Sequence, residues 1–198
     1  MWSFVVIGQN AIASGGFSLD DLPSSSGRLD VLVRCIRAAL LFSHGVRHDV
    51  RIYLLLCGGS SAPRALRVDG ASARFVRPDE RSLALLVKKA LARAAALEGP
   101  SFVETSPGVA VANAGLAAIL ADIGDAPRYL LDEDAADLRT RAPLRAGAAF
   151  ILGDHLGVDE LMRTTLAAAG FEPISVGPVS LHSEDAITIV LNELDRTH

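Results

Sequence analysis

The sequence is sparing with cysteine: it has two, Cys35 and Cys57. Neither belongs to a CxxC pair, so neither a disulfide framework nor a thiolate metal knuckle is indicated. Both read as buried free thiols, which behave as small hydrophobes. No stretch approaches the roughly 20 apolar residues that a membrane span needs. The apolar opening at residues 2–7 is too short for a secretory core and lacks a basic start and a cleavage site. A cytoplasmic protein is expected. Nucleotide and acyl-transfer signatures are missing too. No GxGxxG follows the first strand, no GxxxxGK[ST] occurs, and no GxSxG elbow is present. His44 and His48 have ligand-like spacing, but no glutamate lies between them and Gly45 interrupts the helix, so no metal site is expected.

Half of the 198 residues are hydrophobic and 21% are charged, enough for one well-cored domain spanning 1–198. The net charge of −4 hides a segregation. Residues 1–100 carry 13 Lys+Arg against 8 Asp+Glu, and residues 101–198 carry 6 against 15, so +5 and −9 make the total. All the bases of the first half lie between Arg28 and Arg93. Such clustering allows a phosphate-facing surface on an acidic chain.

Residues 3–8 read as a buried first strand. Residues 14–27 (SGGFSLDDLPSSSG) are turn chemistry without periodicity. Apolar residues at Leu29, Leu32, Val33, Ile36, Leu40 and Phe42 then predict a helix ended by Gly45, with Asp30 and Arg34 as an i,i+4 pair. Strands are expected at 51–56, 66–68 and 73–76. Pro78-Asp79-Glu80 starts a second helix, whose stripe runs from Leu83 to Ala94. Strands at 109–111, 129–131, 148–152 and 173–176 then alternate with helices at 114–121, 159–169 and 187–194. That alternation predicts parallel strands covered by helices.

Ligands of open α/β sheets bind beyond the carboxyl ends of the strands. Three such ends run into suggestive loops: 131–134 (LDED), 153–157 (GDHLG) and 177–185 (GPVSLHSED). Their glycines permit close approach to the backbone, which points to a small-molecule site there. Asp154-His155 has the form of an acid–base pair, or of a pair that fixes a ligand loop.

Several motifs resemble one family. Ser26-Gly27-Arg28-Leu29-Asp30, Arg34-Cys35, Ser43-His44, Arg47 and Asp49-Val50 come first. Pro78-Asp79-Glu80-Arg81-Ser82 with Lys88-Lys89-Ala90-Leu91 follows. Leu152-Gly153-Asp154-His155-Leu156-Gly157, Gly177-Pro178, Leu181-His182 and Asn192-Glu193-Leu194-Asp195 complete the set. In order and spacing, from Phe4 to Asp195, they resemble the archaeal tRNA pseudouridine-54 N1-methyltransferases, the TrmY family. The resemblance implies a SPOUT fold: α/β, a parallel sheet with helices on both faces and a C-terminal trefoil knot. It also implies a homodimer and S-adenosylmethionine as cofactor. The cofactor contacts it implies fall on Leu131, Gly153, Val176, Gly177, Pro178, Leu181, Ala186 and Ile187. In three respects the chain departs from the family: Ala186 stands where many relatives carry Cys or Thr, residues 112–115 are uncharged, and the C-terminal half is strongly acidic.

The implied reaction is methylation of N1 of pseudouridine in RNA, most simply the tRNA T-loop. Asp30 is then the candidate to accept or orient the N1 proton, and Arg28 to bind phosphate or steady a developing uracil anion. Arg34, Arg37, Arg77, Arg81, Lys88 and Lys89 are the candidate phosphate contacts. The alternatives are another RNA base or rRNA site as target, or a non-catalytic RNA-binding assembly factor of the same fold. A hydrolase lacks a nucleophile constellation.

Overall fold

A computed structural model describes residues 1–74, 76–97, 99–140 and 147–197. Strand β1 (Trp2–Ile12) is buried along most of its length, as the run of Val, Ile and Phe between two covered faces demands. Next come the short helix α1 (Leu22–Ser25), helix α2 (Leu29–Leu40) and a two-stranded hairpin, β2 (Leu41–Phe42) with β3 (Gly45–Val46). Strands β4 (Val50–Gly58) and β5 (Arg64–Asp69) precede helix α3 (Glu80–Ala94). Then follow β6 (Val103–Ser106), β7 (Val109–Ala112), α4 (Gly115–Ile123) and β8 (Arg128–Leu131). The chain ends with β9 (Ala149–Gly153), α5 (Glu160–Ala168), β10 (Phe171–Ile174) and α6 (Ser183–Thr197).

Among the described residues, eight strands form one sheet in the order β10-β8-β9-β1-β4-β5-β7-β6. The first five are parallel, whereas β5, β7 and β6 extend the sheet antiparallel. The parallel sheet expected from the sequence is therefore parallel in its ligand-bearing half only. Helices cover both faces. Phe4 and Val6 pack with α2, α3 and α6, while Val5 and Ile7 pack with α4 and α5, the two-residue alternation of a strand.

Four local differences have physical reasons. Helix α2 stops at Leu40 because the Arg47 amide returns to the Leu40 carbonyl (2.8 Å), which turns 41–46 into the hairpin. Residues 73, 74 and 76 form no strand, since the Ala73 amide closes a turn on the Asp69 carbonyl (2.7 Å); Phe75 lies outside the described residues. Strand β6 is an edge strand whose Val103 and Glu104 are exposed, so it carries no apolar alternation. Helix α6 starts four residues before Ile187, at the polar Ser183. No helix among the described residues is long and apolar enough to cross a membrane.

Candidate functional site

The carboxyl ends of β8, β9 and β10 face the first turns of α2 and α6 around a cavity of about 780 Å³. Its walls come from Leu131–Glu133, Leu152–Val158, Ser175–Gly177 and Val179–Ala186, with Arg28, Val31, Arg34 and Arg163 closing the sides.

Each wall is pinned by short-range chemistry. The loop after β9 curls back so closely that a Cβ on Gly153 would lie 2.2 Å from the Gly157 carbonyl. Asp154, buried to water, anchors that loop. Its amide donates to the Ile7 carbonyl (2.9 Å), and its carboxylate accepts from the amides of Gln9 (3.1 Å) and Leu156 (2.9 Å). His155 Nδ1 stands 3.7 Å from the same carboxylate, beyond hydrogen-bonding reach. Of the two readings of this pair, the structure favours the one that fixes a loop.

The Ser183 hydroxyl donates to the Gly153 carbonyl (2.8 Å) and ties α6 to β9. Ser175 Oγ donates to the Gly177 carbonyl and accepts from the Gly177 amide, which shapes the turn after β10. The acidic turn after β8 is laced to β10: the Asp132 amide donates to the Ile174 carbonyl (3.0 Å) and the Leu138 amide to the Ser175 carbonyl (2.8 Å). Arg163 pairs with Asp132, and its hydrogen bond outweighs burial to hold that carboxyl below its usual range.

The fourth side is the Ser26–Asp30 turn. Gly27 takes φ +64°, and a Cβ there would fall 1.8 Å from the Asn10 carbonyl oxygen. Ser26 Oγ accepts from the amide of Leu29, the first residue of α2 (3.0 Å), and so satisfies one of the helix's open donors. Arg28 also adopts a left-handed backbone, φ +68°, the one non-glycine to do so among the described residues. Such outliers concentrate at functional sites. Its guanidinium forks onto Asp30, Nε to Oδ1 at 2.9 Å and Nη2 to Oδ2 at 3.1 Å. Arg34 Nη1 reaches the same Oδ2 at 3.0 Å. Burial pushes the Asp30 carboxyl up, but the hydrogen bonds and charges of Arg28 and Arg34 prevail and hold it below its ordinary value. Arg34 also donates from Nε to Glu184 Oε1 (2.8 Å) and lies 3.5 Å from Glu80.

The expected cofactor residues Leu131, Gly153, Val176, Gly177, Leu181 and Ala186 line the cavity. Pro178 is not among its wall residues, although both its neighbours are. Ile187 is fully buried in the core that α2 shares with α6, one helix position beyond the wall. Arg28 lines the cavity, with Asp30 buried beneath it.

The expected phosphate contacts divide. Arg34 turns inward onto three carboxylates. Lys88 donates to the Phe17 carbonyl and sits 5.2 Å over the Phe17 ring, so it anchors the long loop. Arg81 pairs with Asp20 on the surface, while Arg37, Arg77 and Lys89 are exposed. Sequence reasoning missed Arg163 as a wall residue, and it selected the loop that holds His182 and Glu184 without singling out either. Their signal was faint: Arg163 meets Asp132 from 31 residues away, and Glu184 meets Arg34 across 150.

The family described as "Putative SAM-dependent RNA methyltransferase" matches residues 1–198. The tRNA (pseudouridine(54)-N(1))-methyltransferase of Methanococcoides burtonii is 41% identical over 198 residues, covering 99% of this chain and 96% of that protein. Its counterpart from Methanosarcina acetivorans is 43% identical, covering 99% and 92%. That of Halobacterium salinarum is 40% identical, covering 98% and 96%. Among solved structures, Archaeoglobus fulgidus Nep1 bound to S-adenosylhomocysteine superposes with a TM-score of 0.63 at 15% identity, covering 99% of this chain and 97% of that one. At that identity the likeness concerns the fold.

Proposed function

The chain belongs to the family of putative SAM-dependent RNA methyltransferases, and from that premise we propose that it methylates N1 of pseudouridine in tRNA with S-adenosylmethionine as donor. The observation that carries the reading is the cavity at the ends of β8, β9 and β10. Its volume lies within the range of small-ligand sites, about 300–1,000 Å³. Leu131, Leu152, Val176, Leu181 and Ala186 offer apolar walls for an adenosine, and the bare backbone at Gly153 and Gly177 offers amides and carbonyls. Asp132, Glu133 and Asp185 supply acceptors for hydroxyl and ammonium groups. When bound, the cofactor supplies a methyl group activated by its sulfonium.

The chain's own residues hold and orient. Arg28, clamped at the cavity wall, steadies the negative charge that develops on a uracil ring as its N1 proton departs to water. Asp30 works through Arg28. Its carboxyl is saturated by two guanidinium groups and stays ionised, which disfavours proton uptake, so its role is to aim the arginine. Arg37, Arg77, Arg81 and Lys89 would meet phosphates, which position RNA without reading sequence. A base must leave its stack to reach the cavity.

We also assign a single SPOUT-type domain over 1–198 with a C-terminal trefoil knot, acting in the cytoplasm. In support, residues 132–138 are laced to 174–175 beside the start of α6; residues 141–146 of that loop lie outside the described residues. A homodimer is the expected assembly. In support, Leu156, Val179 and Leu181 are exposed apolar residues that share the cavity wall, and contiguous apolar surface marks association sites.

Incubation with labelled S-adenosylmethionine and matched T-loop RNAs, carrying uridine or pseudouridine at one position, tests the reading. Label on the pseudouridine RNA alone is expected. Equal label on both would remove the N1 assignment.

A further inference from the structure

We propose that Arg34 is a positioning residue that couples the cofactor segment at the start of α6 to the substrate arginine, Arg28. The inference rests on the function proposed above.

An unbroken series of hydrogen bonds joins the two. Glu184, in the cavity wall, accepts from Arg34 Nε at 2.8 Å. Arg34 Nη1 donates to Asp30 Oδ2 at 3.0 Å. Asp30 in turn holds Arg28 through both oxygens, at 2.9 and 3.1 Å. One guanidinium thus bridges α2 to α6, with Glu80 of α3 3.5 Å away. A planar guanidinium holds its acids in fixed directions, whereas an ammonium is a point charge whose three donors rotate freely. Among the described residues, Glu184 Oε2 is buried without a hydrogen-bond partner. Arg34 is therefore that carboxylate's tie to the protein, and movement of Glu184 passes to Arg34.

At the other end, Arg28 is in a left-handed backbone conformation that few arginines adopt. Its guanidinium is held in direction by the two bonds to Asp30, and Asp30 by the bond from Arg34. A ligand that presses on residues 177–186 reorients Glu184 and, through the series, Arg28. Cofactor loading thereby brings the substrate arginine into register, a coupling between two sites in the strict sense.

The test follows the Nε–H nuclear magnetic resonance signal of Arg28 while S-adenosylhomocysteine is added, in the unaltered chain and in Glu184→Met and Arg34→Lys. In the unaltered chain the signal shifts on binding. In Glu184→Met, which has no oxygen to accept from Arg34, the ligand still binds, within about threefold, but the Arg28 signal no longer follows it, and Arg34→Lys behaves in the same way.

Kinetics give the second readout. Glu184→Met lowers kcat for methyl transfer about tenfold with KM for the cofactor little changed, and costs nothing further in an Arg28→Gln background. An Arg28 signal that still follows the ligand in Glu184→Met overturns the proposal, as do losses that multiply in the double variant. If Arg34→Lys fails to fold, Glu184→Met, which keeps the length of the side chain, decides alone. A ligand-driven shift without methyl transfer to either RNA would sink the function but leave the coupling standing. Transfer with no shift in the unaltered chain would do the reverse.

Discussion

Two aspartates, Asp30 and Asp122, occupy similar surroundings on opposite faces of the sheet. Asp30 lies between Arg28 and Arg34. Asp122 accepts from the Tyr53 hydroxyl (2.6 Å) and from Arg67 Nη1 (2.7 Å), with Arg51 3.9 Å away. In both, burial pushes the carboxyl up and the partners outweigh it, so both carboxyls stand below the ordinary value. The two differ in what lies next to them. The Asp122 cluster is capped by Phe102, whose ring sits 5.1 Å beneath the Arg67 guanidinium and 5.8 Å from Tyr53, and it does not line the cavity. The Asp30 cluster opens onto the cavity through Arg28, which carries a left-handed backbone and a side chain 41% exposed. The same ionic chemistry thus closes a core in one place and aims a cation in the other. Backbone conformation and access separate the two, and residue types do not.

The sharpest way to break the comparison is to remove one partner from each. Arg28→Gln should lower kcat about 100-fold while leaving the melting temperature close to that of the unaltered chain. Asp122→Asn should do the opposite. It leaves two arginines short of a partner and lowers stability by about 2 kcal/mol, with kcat nearly unchanged. Paired denaturation curves and methyl-transfer rates would show whether the two clusters exchange roles.

A smaller effect concerns acid. Because both carboxyls are depressed on folding, the stability they contribute is full above the unfolded value of about 3.9 and is lost as pH falls through the lower folded values. Denaturation midpoints should therefore fall as pH drops below about 4. In Asp30→Asn/Asp122→Asn this acid limb should be flatter, and an unchanged limb would mean that other carboxylates govern it.

The comparison also marks what a sequence can disclose. The LDED, GDHLG and GPVSLHSED loops were legible because parallel strands buried on both faces end abruptly in glycine and acid, and these loops do surround the cavity. The Asp30–Arg34 pair was legible because four residues make one helical turn. Arg34's inward turn was not, for its third-dimension partner Glu184 is 150 residues away. Lys88 reads as a surface cation from its helix position, yet Phe17 arrives from the long loop to cover it. The antiparallel half was blurred because its edge strand β6 is half exposed and lacks an apolar rhythm. Local rules find where chain elements end; they do not report which distant charge meets which.

The central claim is that the cavity beyond β8, β9 and β10 holds the cofactor. Calorimetric titration of S-adenosylhomocysteine into the unaltered chain and into Gly153→Val tests it most directly, with melting temperatures as a control for folding. A Cβ at 153 meets the Gly157 backbone at 2.2 Å, where no flexible side chain can give way. The account predicts one molecule bound by the unaltered chain and none by the folded variant. Equal binding by both would put the cofactor somewhere else.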